Sequence, residues 1–136
     1  MPPSGTERGP VTIRSKSPWG KMSEKLKSVA EPWTSRLSED PPQSVMAAVY
    51  ETTSLIWNAS RLPDPTERSK TLLEVRRLMA EGLPDLPHAA FEELFSEMHN
   101  RASQTFSDDP RIVARISVEK RGRGDFHLAV ASMELK

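Results

Sequence analysis

The residues best suited to move a proton or hold a metal near neutral pH are three histidines, His88, His99 and His127. They fall at a helix start, a helix end and a strand in the reading developed below, with no HExxH and no His-x-His spacing. Zinc needs three or four convergent ligands, so neither a metal nor a cofactor is expected. His99 stands near Glu92, Glu93 and Glu97, which would place general acid and base groups on one helix. Glu93 and Glu97 are one turn apart, as are Glu97 and Arg101, and that spacing equally describes a solvated, ion-paired face. The plainer reading is preferred.

Nucleophilic and nucleotide chemistry fare no better. No G-x-S-x-G elbow, Walker loop or G-x-G-x-x-G is present, and Gly122 and Gly124 precede no helix. The chain has no cysteine, which removes thiol nucleophiles, disulfides and thiolate metal sites together. No catalytic or cofactor-binding residue is assigned, and an enzyme is not expected.

Two clusters remain as binding candidates. Trp19, Met22, Lys25, Leu26 and Trp33 lie on or beside a basic amphipathic segment from Lys21 to Lys27, which suits a partner's groove or its own domain. Arg111, Arg115, Lys120, Arg121 and Arg123 place five bases along a two-stranded ribbon, the kind of element that enters a nucleic-acid groove. Against the second cluster, few aromatic residues stand ready to stack on bases, and the helical middle of the chain is acidic. Arg121-Gly122-Arg123-Gly124 and Arg123-Gly124-Asp125 spell short recognition strings, yet a hairpin turn wants Gly and Asp for backbone reasons. Asn58-Ala59-Ser60 matches a glycosylation acceptor inside an expected buried helix and is discounted. Ser15 and Ser17 could accept phosphate, which would lower the tail's positive charge.

The elements that carry these residues follow from periodicity and punctuation. Residues 1–17 hold Pro2, Pro3 and Pro10 with little apolar content beyond Val11 and Ile13, and read as a disordered basic tail. Helices are expected over 18–31, ended by Pro32, then over 43–62, 65–81 and 87–104. Asp64-Pro65-Thr66-Glu67 reads as a capping box for the third of these. Phe91, Leu94, Phe95, Met98 and Ala102 form the clearest helical stripe, and the breadth of apolar residues over 43–62 marks the most buried helix. After Asp108-Asp109-Pro110 the period falls to two. Ile112, Ala114, Ile116 and Val118, then Phe126, Leu128 and Val130, predict a hairpin over 111–134 with an inward apolar face.

The result is an α+β domain over 18–136, four helices followed by a C-terminal β-hairpin. At 136 residues and 36% hydrophobic, it has material for one core. The 19 bases and 19 acids balance, but unevenly: residues 1–30 carry six bases to two acids, residues 61–109 six to ten, and residues 110–136 six to three. Basic ends and an acidic middle favour salt-sensitive contacts within or between copies. Without a membrane-span pattern or signal peptide, a cytoplasmic location is expected. The function expected is a non-catalytic protein-interaction module, an adaptor or accessory subunit acting as a homo-oligomer or on a larger protein partner. Nucleic-acid binding through the hairpin is the second reading. A hairpin exposes two strand edges, and either charged residues blunt them or a second hairpin pairs with them.

Overall fold

The computed structural model of the protein describes residues 20–134. The tail 1–17, Pro18 and Trp19 lie outside the described residues, and so do positions 135 and 136. Four α-helices, α1 (Met22–Thr34), α2 (Gln43–Ser60), α3 (Pro65–Glu81) and α4 (His88–Asn100), precede two antiparallel strands, β1 (Arg111–Gly122) and β2 (Asp125–Glu134). This is the expected α+β arrangement.

Met22, Leu26, Val29, Ala30 and Trp33 recur at three- and four-residue steps, so α1 buries one stripe. The helix does not stop before Pro32, where sequence alone placed its end, but runs on to Thr34. A proline inside a helix leaves the carbonyl four residues earlier without its N–H. Here that carbonyl belongs to Ser28, and Arg101 Nη1 donates to it at 2.7 Å. A donor 73 residues away in sequence therefore fills the gap that the ring opens.

α2 is the centre of the domain. It touches α1, α3, α4 and β1, and Met46, Val49, Tyr50, Thr53, Ser54, Ile56, Trp57 and Ala59 are buried around more than one face. The two buried hydroxyls cost little because Thr53 donates to Val49 O and Ser54 to Tyr50 O. α3 begins where expected, with the Asp64 carboxylate accepting from Thr66 N at 3.0 Å. Glu67 points along the helix towards Lys70 rather than back to the cap. Only Val75 and Met79 of α3 are buried, while Leu73 and Leu78 are exposed.

The Phe91, Leu94, Phe95 and Met98 stripe of α4 is buried as its period requires, and Ala102 continues it. Beyond Asn100 the helix widens into a π-helical turn over Arg101–Thr105. Single π turns inside or at the end of α-helices recur near sites of function.

β1 and β2 form a two-stranded sheet with one face on α1 and α2. Val113 pairs with Ser132 and Arg115 with Ala131, so Ala114 is an extra residue, a β-bulge. The bulge reverses which side chains face inward. Before it Arg111 and Val113 are buried; after it Ile116, Val118 and Lys120 turn inward. The strict alternation expected from Ile112 and Ala114 is thus corrected in the first third of the strand, where Ala114 is exposed. β2 keeps the predicted alternation, with Phe126, Leu128 and Val130 inward. Among the described residues, no helix is long and apolar enough to cross a membrane.

Candidate functional site

The two edges of the hairpin have different fates. α2 runs beside the outer edge of β1 and hydrogen-bonds it at both ends. Trp57 Nε1 donates to Arg111 O at 2.8 Å. Asn58 gives Nδ2 to Val113 O and takes the Val113 N–H on Oδ1. At the far end the Lys120 N–H donates to Gln43 Oε1 at 2.9 Å. The turn is fastened as well, since Asp40 accepts from Gly124 N and pairs with Lys120 Nζ. Those two bonds hold the Asp40 carboxyl below its ordinary range. Gly124 has φ +69°, and a Cβ there would stand 2.7 Å from Glu39 O, so both conformation and space require glycine.

Among the described residues β2 has no such cover. In an antiparallel ladder N–H and C=O groups alternate sides. Val113 and Lys120 direct theirs to α2, so their partners Ser132 and Phe126, with Leu128 and Val130 between, direct theirs away from β1. No hydrogen bond from the described residues reaches that outer edge outside the ladder with β1. The outward face beside it carries Ala129, Ala131 and Met133, all exposed.

Of the residues singled out for a partner, Met22, Leu26 and Trp33 are 4%, 0% and 8% exposed and belong to the core, which corrects their place as surface anchors. Lys25 pairs with Asp109 at 2.8 Å, and Trp19 lies outside the described residues. Apolar periodicity cannot separate an anchor from a core residue, and the stripe of α1 faces its own domain.

The hairpin bases are scattered in a similar way. Arg111 is buried against Asp109, Lys120 is paired with Asp40, and Arg121 with Glu119. Arg115 and Arg123 are exposed and have no carboxylate partner among the described residues. Three of the five cations are therefore neutralised locally, and among the described residues the hairpin bases form no basic stripe. On α4, Glu97 pairs with Arg101, Glu92 with Arg76, and His88 approaches Glu92. Glu93 is exposed. His99 stacks on Phe95, and its pKa is pushed down by burial and by the nearby Arg68 charge. His88, His99 and His127 do not converge, and among the described residues no group of three His, Asp or Glu side chains could hold a metal.

The sequence reading missed a buried polar cluster behind the π turn. Asp109 is 1% exposed and accepts from Lys25 Nζ and from Arg111 through its N–H, Nε and Nη2. Burial opposes its ionisation, but these bonds outweigh it and hold the pKa at about 2. Beside it Arg61 stacks 3.8 Å from the Trp57 ring and donates to three carbonyls, those of Ala102, Phe106 and Asp109. Its guanidinium thus closes the frayed end of the π turn, where carbonyls lack partners within the helix. The outer wall of this cluster is a cavity of about 410 Å³ lined by Arg61, Arg68, Ser60, Ser103 and Ser107. A wider groove of about 620 Å³ lies between α3 and α4, floored by Leu73, Ala80 and Phe91. In comparisons with known proteins, no family model, no curated protein and no solved structure matches this chain.

Proposed function

We propose that the protein is a non-catalytic interaction module that acts by pairing with a second copy of itself along β2. The observation that carries this reading is the open edge itself. Residues 126–133 contain no Lys, Arg, Asp, Glu or Pro, the residues that ordinarily blunt a strand edge, whereas the β1 edge is capped by α2.

A second copy suits the edge better than an unrelated strand because the ends of β2 are complementary. Arg123 before the strand and Glu134 at its end each lack an oppositely charged partner among the described residues. Antiparallel pairing about a two-fold axis through Ala129 sets Leu128 of each copy opposite Val130 of the other. It brings each Glu134 beside the turn that carries the other copy's Arg123. Two marginal hairpins become one four-stranded sheet.

Light scattering on the full chain over a range of concentrations tests the reading, with a dimer as the expected mass. Ala129→Lys adds an exposed ammonium that meets its twin across the axis, so it should give a monomer with unchanged circular dichroism. A wild-type monomer at every concentration would overturn self-pairing. Copurified nucleic acid that high salt removes would favour the second reading, for which Arg115 and Arg123 are the hairpin bases with no carboxylate partner among the described residues.

A further inference from the structure

We propose that the cavity between the end of α2, the start of α3 and the π turn binds a small phosphate-bearing anion, held by Arg61 and Arg68 with Ser107 at its rim. The cavity shares no residue with the β2 edge, and the proposal stands apart from self-association.

Charge partners point to it first. Arg76, Arg77, Arg101, Arg111 and Arg121 each have a carboxylate. Arg61 and Arg68 have no carboxylate within ion-pairing distance among the described residues, yet both are half-buried and both line the same cavity. The acids that act on Arg61 form no ion pair with it: Asp109, at the back wall, attracts it but has its oxygens occupied by Arg111 and Lys25, and exposed Asp108 attracts it less.

Donors remain for a ligand. A guanidinium has five N–H groups. Arg61 commits three of them to carbonyls, and Arg68 commits Nη1 to Leu62 O. One N–H on each Nη of Arg61 and the remaining donors of Arg68 stay uncommitted, and a planar guanidinium suits phosphate oxygens. Ser60 and Ser103 donate to Ile56 O and His99 O, which leaves Ser107 as the lining hydroxyl with no acceptor among the described residues. At about 410 Å³ the cavity falls within the ~300–1,000 Å³ of small-molecule sites and exceeds what a bare phosphate fills, so a phosphomonoester fits.

His99 supplies an independent reporter. The Arg68 charge helps to keep its imidazole neutral, and a bound dianion would offset that charge and raise the His99 pKa.

The test is nuclear magnetic resonance on the full chain titrated with inorganic phosphate, with phosphoserine in parallel, at constant ionic strength set by chloride. Saturable shifts at the Arg61 and Arg68 Nε–H groups and the Ser107 amide are expected, with a rise in the His99 pKa. Phosphoserine binding more tightly than phosphate would identify an ester as the ligand, and equal binding would identify phosphate itself. Arg68→Gln keeps a donor for Leu62 O but should weaken binding about tenfold or more. Arg68→Lys, which keeps the charge and loses the fork, should fall between the two. Shifts that chloride reproduces, or an unaltered response in both Arg68 variants, would overturn the site. So would a response abolished by Arg115→Gln with Arg123→Gln, because the anion would then sit on the hairpin.

Discussion

The side chain of Asn58 exchanges two hydrogen bonds with the backbone of Val113, donating at 3.0 Å and accepting at 2.7 Å. An amide side chain on a helix thus takes the position of a neighbouring strand, one residue before the bulge at Ala114. Asn58→Ala leaves both Val113 groups without a protein partner, and we expect a loss of about 1–3 kcal/mol in urea unfolding. Asn58→Asp keeps the acceptor and sets a carboxylate against the Val113 carbonyl, so it should also destabilise. An unchanged midpoint in both variants would show that water replaces the amide at no cost.

Acid should destabilise the protein through Asp109. Its folded pKa of about 2 lies below the ordinary 3.8, so its ionised form stabilises the fold above pH 4. That contribution, about 2 kcal/mol, is lost as pH falls from 4 through 2. Asp109→Asn should be less stable at pH 7 and show a flatter stability profile between pH 4 and 2. A profile parallel to the wild type in that window would refute the assignment.

Arg101 and Pro32 should be coupled energetically. Arg101→Met leaves the Ser28 carbonyl unpaired because Pro32 has no N–H to offer, at a cost of about 1–3 kcal/mol. In a Pro32→Ala background the alanine N–H can close the helix, and the same Arg101 change should cost less. A double-mutant cycle with no coupling would mean that the Arg101 pairs with Glu31 and Glu97 account for the whole effect.

Two glycines should respond in opposite ways to alanine. Gly124→Ala must hold φ +69° and place its Cβ 2.7 Å from Glu39 O, so a loss of about 1–3 kcal/mol is expected in thermal unfolding. Gly82 has φ −81° and would meet only ordinary contacts at 3.5 Å or more. Gly82→Ala should be neutral or stabilise by up to about 1 kcal/mol, by restricting the unfolded chain.

The sequence by itself determined what is local. The i, i+3, i+4 recurrence of Phe91, Leu94, Phe95 and Met98 defines a buried face wherever the helix packs, and Asp64 with Pro65 starts α3 through bonds two residues long. The alternation of Phe126, Leu128 and Val130 likewise fixes their common face. Tertiary structure decided the rest. α1 crosses Pro32 because Arg101 arrives from another helix, and β1 changes face at Ala114 while Asn58 holds Val113, 55 positions away. The same distance hid the site residues. Arg61, Arg68 and Asp109 carry no periodic signal, and only folding brings them to one turn, with Asp109 buried and the two arginines half-buried. Which charges end up without a counter-charge depends on pairings across the whole chain, and periodicity carries no information about those.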